Sequence, residues 1–271
     1  MIARTLAHAS RQTNKAQKWG LGIFALLLIY ALCAPLFVDG DSASQNLSQV
    51  LNAPNGQYWF GTDHFGRDMW LRLADALQLS LWLAVLCVLT SAAVGVFFGV
   101  VVAIGPQWLD RVLDIIVTLI LALPGLVLVL ILAAIKPGSF LMIYFAISLI
   151  QWIEYFRVSR VISQRLVKSP EVESSRLMGF GYPYLFIRHF WPAIRPQLLT
   201  IAAFGAANAI LMMASLGFVY VGIQPPLAEL GLMIVELFPY YSEAPWLLAQ
   251  PLIVLALLVL SCHLLGGSKS T

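Results

Sequence analysis

The sequence predicts an all-α membrane protein with six transmembrane helices. Three observations carry this expectation. Hydrophobic residues make up 60% of the 271 and charged residues 11%, too few charges to clothe a soluble domain of this length. The mean hydropathy is +0.85. Six charge-free stretches follow one another along the chain, and each holds one crossing at roughly 20 apolar residues per ~30 Å of hydrocarbon. If the crossings alternate, 13 of the 16 Lys and Arg residues fall on the side of the N-terminus, with only Arg67, Arg72 and Lys136 opposite. Cytoplasmic loops retain basic residues, so both termini are expected in the cytoplasm.

Residues 1–18 form a basic leading segment with Arg4, Arg11, Lys15 and Lys18. The first charge-free stretch, 19–38, exceeds the roughly 7–15 residues of a signal-peptide core and reads as a retained anchor. The single membrane domain is expected over 19–267. Its first external loop, 39–75, carries five Asp and the segment GTDHFGRD. Gly and Asp favour turns there, with Asp63, Arg67 and Asp68 pairing locally, and this is favoured over direct contact with a solute. The second stretch, 76–109, contains Gly95 and Gly99 in GxxxG spacing. That spacing fits a close helix contact and equally fits the general abundance of Gly in membrane helices. In the third, 115–135, Pro124–Gly125 should kink or break the helix, where a polar path could be lined. The fourth covers 137–153, the fifth 196–228 and the sixth 244–268, with a cytoplasmic tail at 268–271. An external segment, 223–245, separates the last two spans. Within it Leu230, Met233, Ile234 and Leu237 recur at helical spacing while Glu229 and Glu236 share the other side, which predicts a short interfacial or re-entrant helix over 227–241.

Between spans four and five, residues 157–197 hold seven of the 16 basic residues. Ser169-Pro170-Glu171 is a helix start: a capping hydroxyl, a proline at the first position, an acid in the first turn. The helix runs through Val172, Ser175 and Met178, and Gly179 or Gly181 can end it after two to three turns, Gly179 with positive φ. Pro183 and Pro192 are expected to break the chain beyond that helix. The orientation rule explains the basic residues. It leaves Leu177, Met178, Phe180, Tyr182, Tyr184, Phe186, Phe190 and Trp191 in need of cover from a protein partner or the membrane interface.

Chemistry in the chain itself is not expected. Asp114 and Glu154 sit at the cytoplasmic edges of spans three and four, and almost nothing ionisable lies along the predicted spans, which disfavours an ion-coupled carrier. His8, His64, His189 and His263 are scattered, and Cys33, Cys87 and Cys262 form no CxxC, so no metal or disulfide set and no catalytic residue is assigned. The terminal GGSKST lacks the glycine and the helix of a phosphate loop. A net charge of +3, dispersed along the chain, does not call for nucleic acid.

Glu173-Ser174-Ser175, three residues, Gly179, nine residues and His189-Phe190-Trp191-Pro192 resemble the EAA loop of permease subunits in bacterial ABC importers, whose pattern is EAA, three residues, G, nine residues, I-x-L-P. Two serines replace alanines, and His189 and Trp191 replace Ile and Leu. Arg188-His189 ahead of Pro192 is similar to the RHxLP variant of the peptide/nickel branch. Residues 59–68, WFGTDHFGRD, resemble the signature before the second span of its C-type subunits. Gly222-Ile223-Gln224-Pro225-Pro226, Ala244-Pro245-Trp246 and His263-Leu264-Leu265-Gly266 resemble its later segments. Departures are Glu229-Leu230-Gly231 for S-W-G, His263 for Asn, Gly267 for Asp and Tyr220 for Gly.

The resemblance covers about residues 15–267 and implies the type I importer permease fold in a bacterial inner membrane. A short coupling helix would dock on an ATP-hydrolysing subunit through Glu173, Ser174, Ser175, Gly179, Arg188, His189 and Pro192. It further implies an external gate near Gln224, Pro225, Pro226 and Glu229. The implied partners are a second homologous permease, two ATPase subunits, an external or periplasmic binding protein and membrane lipid. The cofactors ATP and Mg would sit on the ATPase subunits, and the cargo would be short peptides, nickel or a metal chelate. The rival readings are an ATP-independent channel or secondary carrier, and an assembly or regulatory membrane protein.

Overall fold

The computed structural model describes residues 2–38 and 40–267, with side chains from residue 15. The tail at 268–271, with Lys269 and most of GGSKST, Asp39, and the side chains of Arg4, His8 and Arg11 lie outside the described residues. Ten α-helices succeed one another among them: α1 Ile2–Phe37, α2 Met69–Ile104, α3 Gln107–Leu121, α4 Gly125–Ala134, α5 Phe140–Val167, α6 Pro170–Leu177, α7 Tyr182–Leu185, α8 Trp191–Phe218, α9 Leu230–Leu237 and α10 Pro245–Gly266. No strand occurs among the described residues, only an isolated bridge between Thr62 and Asp68.

The centre of the bundle is the pair α2 and α5. A Cβ on Gly95 would meet the Tyr155 Cβ at 2.5 Å and the Phe156 nitrogen at 2.7 Å; one on Gly99 would meet the Ser159 Cβ at 2.7 Å. Both glycines therefore serve close helix approach, which decides between the two readings of that spacing. α8 packs against both helices through Ala209, Met213 and Leu216, in a core with Leu83, Ile143 and Ile147. α1 and α10 lie together outside it, Leu27 and Ala31 against Leu258 and Cys262.

Five helices are long and apolar enough to cross a membrane. The remaining predicted crossing, the third, is divided: α3 and α4 are bent by 80° at residues 122–124. Pro124 has no N–H to continue the ladder and disfavours the helical conformation for Leu123, so the chain stops and restarts. Neither half alone, at about 22 Å and 15 Å, spans the hydrocarbon. α3 is tied back to α5 by Arg160, whose Nε lies 2.6 Å from Asp110 Oδ1 and whose Nη1 lies 3.0 Å from Asp114 Oδ1. Asp114 thus serves a helix contact.

At the end of the bundle between α1 and α2, loop 40–68 folds back on itself. Asn46 accepts from Ser48 and starts a single 3₁₀ turn, and Asp68 caps α2 by accepting from the Trp70 N–H at 2.7 Å. The expected local pairing holds for Asp63 and Arg67, at 2.6 Å, but Asp68 is occupied as the cap. The pair also reaches far along the chain. Arg67 and Arg72 both approach Glu236 of α9, at 3.3 and 3.4 Å, and Arg72 Nε lies 3.4 Å from Asp63. The two arginines are 2% and 1% exposed. Alternating signs allow four charges to share this buried corner.

α9 exists where the sequence predicts a short helix, followed by a 3₁₀ turn at Phe238–Tyr240. Its apolar face meets protein. Leu230, Met233 and Leu237 join Met69, Leu73 and Leu247 in one core, and Gly231 and Leu232 are buried as well. Its acids do not form a wet face: Glu236 meets the two arginines, and Glu229 is the buried N-cap.

Candidate coupling site

Helix α6 forms for local reasons. The Ser169 hydroxyl accepts from the Val172 N–H at 3.4 Å, Pro170 opens the helix, and Glu171 and Glu173 face its positive end. The Glu171 carboxyl is held below its ordinary range by hydrogen bonds from its own N–H and from Ser169. The helix closes in a double hydrogen bond, Phe180 N to Ser175 O at 3.1 Å and Gly179 N to Arg176 O at 2.9 Å. Gly179 takes φ +84°, as expected, because the reversal demands a left-handed residue.

Only Val172 and Ser175 of α6 are buried. Val172 enters a core with Leu185, Phe190 and Ile194. Glu173, Ser174 and Arg176 face away, beside Leu177 and Met178 at 84% and 66% exposure. The aromatic residues divide in the same way. Phe190 is fully buried and Phe186 partly, whereas Phe180, Tyr182, Tyr184 and Trp191 stay exposed, with Phe180 stacked on Tyr184 at 4.2 Å.

Pro183 and Pro192 do not break the chain as expected. Pro183 sits in the first turn of α7, and Pro192 in the first turn of α8. Between them Phe186–Phe190 forms a π turn in which the Trp191 N–H reaches the Phe186 carbonyl. A proline inside an α-helix clashes with the carbonyl four residues back, and the wider turn relieves that clash, so 182–218 runs on as one rod. Of the seven residues implied in coupling, Ser175 and His189 meet, at 3.0 Å between Oγ and Nε2. Glu173, Ser174, Gly179, Arg188 and Pro192 are exposed around them.

The residues that the resemblance implies as a gate are placed at the opposite end of α8. Gln224 donates to the Tyr220 carbonyl at 2.8 Å, and Pro225 and Pro226 are exposed. Tyr220, where the resembling sequences have Gly, takes φ +57°, a conformation that costs a non-glycine residue about 1–2 kcal/mol. Glu229 stands apart from a surface role. It is 1% exposed and accepts from Gly231 N at 2.9 Å and Leu232 N at 2.7 Å. Burial pushes its carboxyl up to about 7 against those two bonds, which pull it down.

The family of binding-protein-dependent transport system inner membrane components matches residues 95–267, from the middle of α2 to the end of α10. The chain belongs to this family. It is a permease subunit of an ABC importer, not an enzyme, and ATP hydrolysis lies on partner subunits. It is 33% identical over 259 residues to a putative peptide permease protein of Brucella suis, covering 92% of this chain and 83% of that one. A putative peptide permease protein of Brucella ovis matches equally, at 33% over the same shares. The dipeptide transport system permease protein DppC of Alkalihalophilus pseudofirmus is 29% identical over 255 residues, 93% of this chain and 83% of that one.

One feature of the permease was missed in the sequence. Gln151, Tyr155, Ser159 and Ser163 stand four apart on α5 and all are buried. Neither amide atom of Gln151 and none of the three hydroxyls has a partner among the described residues. A Cβ on Gly205 would lie 2.2 Å from Gln151 Nε2 and 3.0 Å from the Tyr155 hydroxyl, so a glycine of α8 makes room for them. The signal was the spacing of four polar residues along one helical face; a search for ionisable groups passes over it.

Proposed function

We propose that this permease passes short peptides across a bacterial inner membrane, receiving the work of ATP hydrolysis through α6. The reading rests chiefly on how α6 is docked. It is fastened to its own chain along one narrow face, Val172 and Ser175, and offers Glu173, Ser174, Leu177 and Met178 outward. Apolar side chains on a short exposed helix fit a protein groove. The assembly proposed around it holds a second homologous permease, two ATPase subunits and a binding protein delivering cargo. The cargo class is taken from the relatives, which are peptide and dipeptide permeases by name. Membrane vesicles holding the complete complex should take up peptide only with ATP and loaded binding protein. Uptake of a nickel chelate in place of peptide would overturn the cargo, and uptake without ATP would favour a channel or carrier.

Orientation obeys the same logic. We place both termini and α6 in the cytoplasm, with loop 40–68 and α9 outside. Arg67 and Arg72, two of the three basic residues assigned outside, are buried in ion pairs and present no free cation there. In a variant lacking Cys33, Cys87 and Cys262, single cysteines at Ser44 and Ser242 should react with an impermeant reagent in intact cells. One at Ser169 should react only after lysis. Labelling at Ser169 in intact cells reverses the orientation.

A further inference from the structure

We propose that His189 and Ser175 form a strut inside the permease that hands movement of α6 to α8. Both are then positioning residues rather than contacts for the ATPase. The proposal rests on the reading of α6 as the coupling element and states how a push on it reaches the membrane.

The bond has a defined direction. The Ser175 hydroxyl donates its one hydrogen to the Glu171 carbonyl at 2.9 Å, because a carbonyl can only accept. Towards His189, at 3.0 Å, Ser175 can then only accept, so the His189 Nε2 carries the proton. The other fastening of α6, Val172 against Leu185, Phe190 and Ile194, is apolar. Apolar contact is non-directional and permits sliding. A hydrogen bond weakens steeply when bent, so it resists shear. The two fastenings are three residues apart on one face of α6, one holding it close and the other holding it in register.

The π turn aims the donor. Its extra residue per turn changes by about 100° the face presented by the segment that enters it, relative to α8 beyond. Phe190 is buried and His189 half-buried towards α6, while Ile187 and Arg188 point away. Because the rod continues from 182 to 218 without a break, a displacement received at His189 is delivered to the length of α8. Ser175 stands where the resembling loops carry Ala, while His189 matches the His of the RHxLP variant, so the serine hydroxyl is the group that adds a bond here.

The test uses the whole complex in vesicles with peptide-loaded binding protein and reads peptides moved per ATP hydrolysed. Ser175→Ala removes the acceptor, and His189→Phe keeps a ring without the donor. Each should lower that ratio about fivefold, the equivalent of one hydrogen bond worth about 1 kcal/mol. The double substitution should fall no further than either single one, and His189→Gln, with an N–H near the same place, should recover most of the ratio. A wild-type ratio in the single variants, losses that multiply in the double, or no recovery with Gln would each overturn the strut. If His189→Phe does not assemble, Ser175→Ala, which deletes one oxygen, decides alone. Glu173→Arg is run beside them. Should it also leave the ratio untouched, the coupling role of α6 fails; should it uncouple while the strut variants do not, only the strut fails.

Discussion

Arg72→Leu is expected to release loop 40–68 from the bundle and to destabilise the permease by about 3–5 kcal/mol, the usual cost of removing one member of a buried ion pair. Asp63 and Glu236 would then share Arg67 alone, in a corner where Asp63 is nearly inaccessible. The loss is large because the charges that remain stay out of water, whereas removal of a surface pair of the same residues would cost almost nothing. Glu236 connects the loop to α9 and, through Met233 and Leu237, to the core under α2 and α10. Thermal unfolding of the detergent-purified protein should show the lowered midpoint, and limited proteolysis should cut within 40–68. A variant that keeps both the midpoint and the resistance would show that the network does not fasten the loop.

Glu173→Arg is expected to abolish peptide uptake while the permease remains inserted. Reversing a charge at an interface costs about 2–5 kcal/mol, roughly thirtyfold or more in affinity for the ATPase. The Glu173 side chain is exposed, so the chain's own fold loses little beyond the favourable placement of an acid in the first turn of α6. Gly179 separates strain from contact. A Cβ there meets nothing within 4 Å, so Gly179→Ala carries only the cost of φ +84°, about 1 kcal/mol. Gly179→Leu adds bulk beside Leu177 and Met178, where the partner would sit, and should block ATPase co-purification. Complexes of either Glu173→Arg or Gly179→Leu that assemble and transport at the wild-type rate would remove α6 from the coupling role.

Helix α6 was legible from the chain because each of its determinants is local. Ser169, Pro170 and Gly179 act on backbone groups within four residues, and caps and left-handed turns are properties of short segments. The membrane spans were legible because the transfer of a helix into hydrocarbon sums over its own side chains, whatever packs around it. The break at Pro124 belongs with these, since the missing N–H is a property of one residue.

Pairings between distant segments were not legible. The residues of α9 have the spacing of an interfacial helix, but whether its second face meets water or protein depends on α2 and α10 arriving there, and they did. Glu236 lies 169 residues from Arg67 and 164 from Arg72, a partnership no local pattern encodes. Pro192 reads as a breaker until the π turn absorbs its ring, and Ser175 reads as a mild change from alanine until His189, 14 residues on, is folded against it. By itself the sequence determined the crossings, the broken third span and the ends of α6, because those depend on transfer energies and backbone chemistry summed over adjacent residues. Only the tertiary structure decided which polar groups are spent inside the fold and which remain free for a partner. A side chain's burial and its hydrogen-bond partners are set by whichever element the rest of the chain brings against it.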